Sequence, residues 1–460
     1  MKPSIFKRPG SSAMAFMVAG SVWFVVGTLY GMVSAIDLIS PDFFSNIPFL
    51  TFGRERPVHV NTVLFGFATT TLIGAGVYYV PSLLKTKLWS EPLSWVSWFF
   101  WNAAILSGPV CFGFGYTEGR EYTEYVFIFD VSLELSMLLL IINLIMTMLK
   151  RKEETLYVSV WYFVATFLWT FCFYFIGNVM WIPTCGAMKG LVDSVILWFY
   201  AHCLPGLLLT PLAVGAAYYV IPRLTGTPLH SHTLSLAGFW TLVILYTHIG
   251  GHHIVQSPIP NWLKSMSTIS SIGMIIPVII ALMNLWLTAR GRGGALLADP
   301  GGMFVIAGTI WYILVCIQGP LQSLPMLQRV THFNNWTIGH SHIAILGFSG
   351  FIALGAMWHI VPLITGKRLY SDNLVNLQFG LVTLGLIGFF FDLTAAGLLQ
   401  GSSWNNGDLV YRVVPALTPY MIVRAGFGVL IITSAFIGLY NLYMSIRVGG
   451  GRIEKEEEYL

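Results

Sequence analysis

Long apolar runs separated by short polar segments extend along the whole chain. Runs of ~20 or more apolar residues are typical of helices that cross a membrane. We count about twelve such runs, near residues 12–39, 58–83, 92–115, 124–149, 156–182, 191–221, 233–255, 264–289, 302–319, 336–364, 374–400 and 416–446. The pattern predicts an all-α integral membrane protein of about twelve transmembrane helices, organised as one domain over residues 1–460.

Composition supports the membrane assignment and excludes a soluble protein. Of the 460 residues, 56% are hydrophobic and only 10% are charged. Soluble domains usually carry about 25% charged residues. A soluble chain of this composition could not cover its apolar atoms with polar ones.

The basic residues lie mainly in alternate loops, and this asymmetry predicts the orientation of the chain. Loops rich in Lys and Arg remain on the cytoplasmic side of a membrane. Both termini are therefore expected to be cytoplasmic. The residues that define these loops are Lys2, Lys7, Arg8, Lys85, Lys87, Lys150, Arg151, Lys152, Arg223, Arg290, Arg292, Lys367, Arg368, Arg447, Arg452 and Lys455.

The five cysteines show neither a CxxC nor a CxxCH spacing. This argues against a covalently attached haem c, an iron–sulfur cluster or a thiol redox pair in the chain. We expect free thiols inside apolar helices, where cysteine behaves as a small hydrophobic residue. The cysteines are Cys111, Cys172, Cys185, Cys203 and Cys316.

Two histidines one residue apart, His340 and His342, begin the tenth apolar run. Residues i and i+2 of an α-helix point ~200° apart, so one helix can offer an imidazole to two sites on opposite faces. Histidine at membrane depth indicates function by default, and imidazole is a common axial ligand of haem iron. The alternative is a pair of interfacial histidines that are hydrogen-bonded to the backbone.

Four further histidines fall at a similar depth, in the half of the membrane predicted to be outer. His59 begins the second run, His202 lies about a third of the way into the sixth, and His252 and His253 end the seventh. A haem with two axial histidines, a haem with one histidine and an open position, and a copper with three histidines would use all six. We interpret the remaining histidines as structural or interfacial: His230, His232, His248, His332 and His359.

Other residues near these histidines have side chains suited to the same chemistry. Tyr246 precedes His253 by seven residues, so on one continuous helix both would share a face about two turns apart. A phenol there could give a proton or an electron to a bound oxygen species; the alternative is an ordinary buried tyrosine. Arg54, Arg56 and Arg424 lie at span edges, where they could pair with carboxylates such as haem propionates or contact lipid headgroups.

Five segments resemble the catalytic subunit of cbb3-type haem–copper oxidases, within the superfamily that also includes nitric oxide reductases. The segments are GRERPVHVNT (53–62), WFYAHCLPG (198–206), YTHIGGHHIVQSPIPNW (246–262), NNWTIGHSHIAILG (334–347) and PYMIVRAG (419–426). The resemblance covers nearly the whole chain. It implies a bundle like haem–copper oxidase subunit I and the activity of a cytochrome c oxidase, which reduces O2 to water at the respiratory chain's end.

The resemblance also implies a role for each of the six histidines. His59 and His342 would bind a low-spin haem b, and His340 would be the proximal ligand of a high-spin haem b3. The ligands implied for the copper, CuB, are His202, His252 and His253. Tyr246 would be the tyrosine that this family cross-links to a copper-binding histidine, here His202.

Further candidates follow from the same resemblance. They are Ser235 and Tyr312 on a proton path from the cytoplasm, Glu121 and Glu124 at a calcium site that bridges haem propionates, and Trp198 beside a cofactor. The implied partners are c-type cytochrome subunits, because this chain has neither a haem c motif nor a copper-binding cysteine pair, and cytochrome c is the implied donor. The implied location is a bacterial inner membrane, with the metal sites toward the outer face.

The sequence departs from the family pattern at three positions. Gln318 replaces a glutamate beside the proximal histidine and, being unable to ionise, cannot tune His340 by charge. Asn335 replaces an aspartate before WTIGH, and Val126 replaces a glutamate near the calcium site. These changes bear on the potential of haem b3 and on proton pumping more than on metal binding.

Two other functions compete with oxygen reduction. A nitric oxide reductase, which joins two NO into N2O, would use a non-haem iron held partly by a carboxylate one turn after the first histidine, where this chain has Gly206. Three histidines without a carboxylate favour copper over iron. A transporter without cofactors fits twelve helices, but it leaves the six aligned histidines unexplained.

Overall fold

The computed structural model describes residues 5–180 and 190–451, and every regular element in these ranges is helical. Twelve helices are long and apolar enough to cross a membrane. They are α1 (Ser11–Ile39), α2 (Phe52–Leu83), α3 (Glu91–Gly113), α4 (Phe127–Leu149), α5 (Val158–Val179), α6 (Gly190–Thr225), α7 (His232–Ile254), α8 (Asn261–Thr288), α9 (Pro300–Gln322), α10 (Asn335–Thr365), α11 (Asp372–Asn405) and α12 (Val410–Arg447). The predicted all-α membrane fold is confirmed.

A few residues used in the sequence analysis lie outside the described ranges: Lys2, Cys185, Arg452 and Lys455. The other four cysteines are free thiols, as expected from their spacing. The second helix begins at Phe52, several residues before the apolar run that predicted it near residue 58. The polar segment GRERP is helical because it packs against α1 and α3, where Glu55 is fully buried.

Three helices form the interior of the bundle. In α2 and α6, 94% of the most apolar stretch is buried, and in α10 the value is 83%, against 33% in α7 and α11 and 28% in α12. The interior helices contain His59, His202, His340 and His342, so most of the predicted ligands project from helices that are surrounded by protein.

Each interior helix widens into a π-helical segment directly after its histidine. The segments are Thr62–Thr69, Leu204–Leu209 and Ile343–Gly350. In α6 the cause is local, because Pro205 has no backbone N–H to donate and the Thr210 hydroxyl donates to the Pro205 carbonyl at 2.8 Å. Such widened turns often occur at functional sites, where they redirect the side chains of the preceding turn.

The seventh helix is not continuous, and this corrects one prediction. Its α-helical part ends at Tyr246, and a 3₁₀ turn over Gly250–Ile254 follows after a bend. The spacing of seven residues predicted that Tyr246 and His253 share one helix face. Because the helix is interrupted, they do not. The pair Gly250 and Gly251 permits the bend, because a Cβ atom at Gly250 would overlap the backbone of α6 at Trp198.

An internal repeat that we did not find in the sequence joins three pairs of consecutive helices. The serine before α3, α7 or α11 caps its helix by accepting a hydrogen bond from the backbone N–H three residues later. An asparagine from the following helix then donates to the carbonyl of that serine. The pairs are Ser90 with Asn143 at 2.8 Å, Ser231 with Asn284 at 2.8 Å, and Ser371 with Asn441 at 3.0 Å.

Candidate haem and metal centre

Three histidine side chains from two helices, α6 and α7, lie close together. The ligand atoms of His202, His252 and His253 all lie within 4.8 Å of one another, and this is the one group of three or more potential metal ligands in the described part of the chain. The Nδ1 atom of His202 is 2.8 Å from the Nε2 atom of His253. Three neutral imidazoles at this spacing form a donor set suited to copper or zinc.

Neighbouring side chains fix the orientation of the two rings on α7. The Nδ1 atom of His252 lies 2.7 Å from the Ser271 hydroxyl of α8, which itself donates to a backbone carbonyl. This leaves Nε2 of His252 directed at the histidine group. The ring of His253 stacks on Trp198 with centroids 4.1 Å apart and planes 12° apart. Contacts of this kind orient metal ligands in proteins generally.

The fourth histidine, His340, lies across a cavity from this group. The cavity has a volume of about 150 Å³ and is lined by all four histidines, Tyr246, Tyr312 and residues of α9 and α10. The Nδ1 atom of His340 is 3.2 Å from the Gln318 amide oxygen, so its Nε2 atom is the one free for a ligand. Gly319 lies on this side of the ring, where a Cβ atom would be in van der Waals contact with His340 at 3.8 Å.

The remaining two histidines face each other on the opposite side of α10. His59 and His342 have ring centroids 6.2 Å apart and planes 24° apart. Their Nδ1 atoms each lie 2.8 Å from a backbone carbonyl, of Gly27 and Ile338 respectively. Metal–imidazole bonds are ~2.0 Å long, and the ring nitrogen lies ~1.1 Å from the ring centroid. An iron bound to both Nε2 atoms therefore requires the two ring centroids to be ~6 Å apart. The pair fits a haem iron.

Tyr246 lies against His202. Their rings are stacked with centroids 5.0 Å apart and planes 13° apart. The phenol fills the space above Gly206, since a Cβ atom on that residue would overlap the tyrosine ring. The break in α7 therefore places the tyrosine beside the histidine of α6 instead of two turns along a shared face from His253.

The three candidate arginines have different surroundings. Arg424 is buried, and its Nε and Nη1 atoms have no hydrogen-bond partner. It lies over the ring of Phe389, which in turn packs on His342. Arg54 donates to the Gly113 carbonyl, and Arg56 forms a 2.8 Å ion pair with Glu121. A buried guanidinium with free N–H groups beside a predicted haem ligand fits a propionate, so Arg424 is the strongest of the three candidates.

The two candidate calcium ligands, Glu121 and Glu124, interact with different residues. The Glu121 carboxylate pairs with Arg56. Glu124 is buried and accepts a 3.0 Å hydrogen bond from Asn61, and burial raises the pKa of Glu124 to about 7. A calcium ion at Glu121 and Glu124 remains a prediction.

Ser235 and Tyr312 are both buried but lie on different helices. The Ser235 hydroxyl donates to the His232 carbonyl near the start of α7. The Tyr312 ring stacks on Phe348 and lines the cavity between the histidines. No hydrogen bond among the described residues joins the two, so the proton path also remains a prediction.

Sequence reasoning missed two residues near the centre. His332, which we interpreted as structural or interfacial, is buried with its ring centroid 6.3 Å from that of His253, and burial lowers the pKa of His332 to about 4. Glu55 is fully buried and accepts a 2.6 Å hydrogen bond from Ser34. His332 lies in a loop, where helical spacing says nothing about direction. Glutamate is rarely fully buried, so the sequence around Glu55 carries no signal for its position.

The sequence matches the protein family described as cytochrome c and quinol oxidase polypeptide I over residues 11–430. A cytochrome c oxidase subunit 1 homolog of Agrobacterium tumefaciens (strain T37) is 32% identical over 445 residues, which cover 94% of this chain and 82% of the relative. A cbb3-type cytochrome c oxidase subunit CcoN1 of Stutzerimonas stutzeri is 28% identical over 446 residues, and 94% of each chain is covered.

More distant similarities extend the comparison. A nitric oxide reductase chain of Stutzerimonas stutzeri is 24% identical over 423 residues, with 84% of each chain covered. A solved structure described as a heme-copper terminal oxidase dimer shares the fold with a TM-score of 0.81 at 16% identity, covering 100% of this chain and 86% of that chain.

The fold and the histidine cluster thus define a membrane-embedded protein of the haem–copper oxidase type. The chain belongs to the cytochrome c and quinol oxidase polypeptide I family. The resemblance found in the sequence is confirmed, and with it the enzyme class, cytochrome c oxidase, and the multi-pass membrane character of the chain.

Proposed function

We propose that this chain is the catalytic subunit of a respiratory terminal oxidase of the cbb3 type, which reduces O2 to water with electrons from a c-type cytochrome and takes up protons. The observation that carries the proposal is the placement of Tyr246 against His202 and over Gly206. It combines a phenol with three imidazoles and leaves no room for an additional carboxylate.

In this proposal the histidine group of α6 and α7 would hold CuB, and His340 would hold haem b3. Three imidazoles without a carboxylate favour copper, and a haem held by one histidine would be able to bind a gas. When bound, the two metals supply the redox chemistry of oxygen reduction, and the protein supplies their position and protons.

Tyr246 holds a proton on its phenol oxygen at the edge of the cavity. Tyr246 is half-buried between His202 and Gly206 and lines the cavity, so its phenol would be placed to supply a proton there. Gln318 accepts a hydrogen bond from Nδ1 of His340 and fixes the ring, but it adds no negative charge as a glutamate would.

His59 and His342 would hold the low-spin haem b, which when bound would supply electron transfer toward the cavity. The backbone carbonyls of Gly27 and Ile338 accept hydrogen bonds from the two Nδ1–H groups and direct both Nε2 atoms toward each other. Arg424 binds a propionate carboxylate with the N–H groups that have no partner among the described residues.

The proposal extends to the surroundings of the chain. Electrons enter from c-type cytochrome subunits and, through them, from cytochrome c. Protons reach the cavity by way of Ser235 and Tyr312. The subunit lies in the bacterial inner membrane with its termini in the cytoplasm and its metal sites toward the outer face.

Nitric oxide reduction at a haem b3–iron centre is the second candidate, because one relative carries that name. The close contact between Gly206 and the ring of Tyr246 argues against nitric oxide reduction as the main activity. A glutamate at that position would overlap the ring of Tyr246, so a carboxylate ligand and this tyrosine cannot occupy the site together.

The experiment that tests the proposal is a metal analysis of the purified complex, combined with reduced-minus-oxidised and CO-difference spectra. We expect two haems b and one copper for this chain, with CO bound to one haem. Additional iron in place of copper would favour the nitric oxide reductase, and the absence of haem would contradict both. Tyr246→Phe should retain all metals and lose most oxygen turnover.

A further inference from the structure

Two carboxyl groups lie inside α4 without a cation beside them. Asp130 is fully buried, and Glu134, one helical turn further along, is 6% exposed. One oxygen of Asp130 accepts a 2.6 Å hydrogen bond from the Tyr174 hydroxyl of α5. Its other oxygen and both oxygens of Glu134 have no hydrogen-bond partner in residues 5–180 and 190–451. None of the ion pairs among the described residues includes either group.

The depth of the pair makes full ionisation unfavourable. At 1.5 Å per residue from Phe127, Asp130 lies ~4.5 Å and Glu134 ~10 Å along the helix. A charged side chain at membrane depth is costly, and two carboxylates on one helix face repel each other. Groups coupled in this way lose their protons in two separate steps. The pair therefore retains at least one proton over a wide pH range.

Two further carboxyl groups lie near this pair, in the loop between α3 and α4. Asp130 lies within electrostatic range of both of them, Glu118 and Glu124. The other titratable, charged or amide groups that face these carboxyl groups are Asn61, Arg120, Glu121, Tyr125, Tyr174 and Tyr200.

We propose that Asp130 and Glu134 form a proton-holding site inside the membrane. A proton passes between the two groups when one carboxylic acid releases it and the neighbouring carboxylate binds it, so charge is conserved in the transfer. A divalent cation fits poorly, because calcium takes ~6–8 oxygen ligands and this pair offers three free oxygens. The site is separate from the histidine centre and does not depend on the metals assigned there.

A hydrophobic carbodiimide tests the proposal, because it reacts with protonated carboxyl groups in apolar surroundings. The assembled complex is treated in native membranes at pH 7, and the modified residues are identified by peptide mass spectrometry. We expect modification at Glu134 or Asp130. Glu153, which lies at the surface and is paired with Lys85, should remain unmodified. Unmodified Asp130 and Glu134, or their protection by added calcium, would overturn the proposal.

Two substitutions sharpen the test. The Tyr174 hydroxyl donates to Asp130 and favours its ionised form, so Tyr174→Phe should extend modification of Asp130 to higher pH. Glu134→Gln should abolish modification at residue 134, whereas Glu153→Gln serves as the matched surface control. If a variant fails to assemble, the pH dependence of modification in the native complex still tests the proposal. Modification of the pair must decrease as pH rises above neutrality. A profile independent of pH would contradict proton binding.

Discussion

Gly206 lies one turn after His202 and directly against the ring of Tyr246. A Cβ atom at this position would overlap the phenol, and overpacking of a filled interior typically costs ~1–3 kcal/mol. We expect Gly206→Ala to displace Tyr246 and to lower oxygen consumption at least tenfold, while both haem spectra persist. An oxygen electrode and a reduced-minus-oxidised spectrum measure the two effects.

Gly380→Ala in α11 is the matched control, since no atom lies within 4 Å of a Cβ atom there. This variant should consume oxygen at the native rate. Native activity in Gly206→Ala would mean that the tyrosine does not need its position beside His202, and the proposed role of the phenol would be wrong.

Gln318 offers a second change of a single residue. Its amide oxygen lies 3.2 Å from Nδ1 of His340, and a carboxylate there would form a stronger, charge-assisted hydrogen bond. Gln318→Glu should therefore make the imidazole a stronger donor and stabilise the oxidised haem. We expect the potential of the CO-binding haem to fall by ~60 mV, equivalent to a tenfold shift in the equilibrium. Redox titration measures it, and an equal fall at the other haem would point to a global change instead.

The sequence predicted which histidines the fold brings together better than it predicted the arrangement of their neighbours. The spacing of His340 and His342 determines that they face opposite sides of α10, because a helix has a fixed periodicity. The relation of Tyr246 to His253 was wrong because it assumed that α7 is continuous, although Gly250 and Gly251 lie between them. The position of His332 beside His253 depends on the path of a loop, which residue spacing does not determine.

At the scale of elements, the repeated serine–asparagine contact sets how α7 begins. Asn284 of α8 binds both the N–H and the carbonyl of Ser231, and α7 carries His252 and His253. Asn284→Ala should lower the free energy of unfolding by ~1–3 kcal/mol, because it leaves buried polar groups without partners. It should also reduce copper occupancy, since the start of α7 is no longer tied to α8. Thermal unfolding and copper analysis measure these effects.

The repeat supplies its own control. Asn143→Ala removes the equivalent contacts to Ser90 between α3 and α4, far along the chain from the copper ligands. It should destabilise the protein to a similar extent but retain copper. Equal loss of copper in both variants would show that general instability, and not the start of α7, controls the metal site.

Local patterns explain why the repeat was missed and why the helices were found without showing which of them are interior. The partners of each contact are 53 residues apart in the first two pairs and 70 in the third, so the sequence has no constant period. The apolar runs of α2, α6 and α10 are visible at once, but hydropathy alone does not separate helices that face protein from helices that face lipid. That difference depends on packing of the whole bundle.

At the scale of the whole molecule, burial of Glu124 couples stability to pH. Its pKa is raised from 4.5 to about 7 because the loop between α3 and α4 folds over it. A raised carboxyl pKa contributes stability that is fully present below the unfolded pKa and is lost as pH rises through the folded one. The difference of about 2.5 units corresponds to ~3 kcal/mol. As the pH rises from about 4.5 to about 7, the unfolding temperature of the native protein should therefore fall relative to that of Glu124→Gln.

Calcium reverses the sign of this effect if it binds at Glu121 and Glu124. A bound cation stabilises the ionised carboxylate, so the native protein would then gain stability above pH 5 and lose the gain with a chelator. Without an ion, burial outweighs the hydrogen bond from Asn61, and the nearby Glu121 carboxylate also disfavours the charged form, so the pKa of Glu124 stays raised. Thermal unfolding of the native protein and Glu124→Gln at several pH values, with calcium and with chelator, distinguishes the two. Identical pH profiles under all conditions would mean that Glu124 is solvated and that the loop does not cover it.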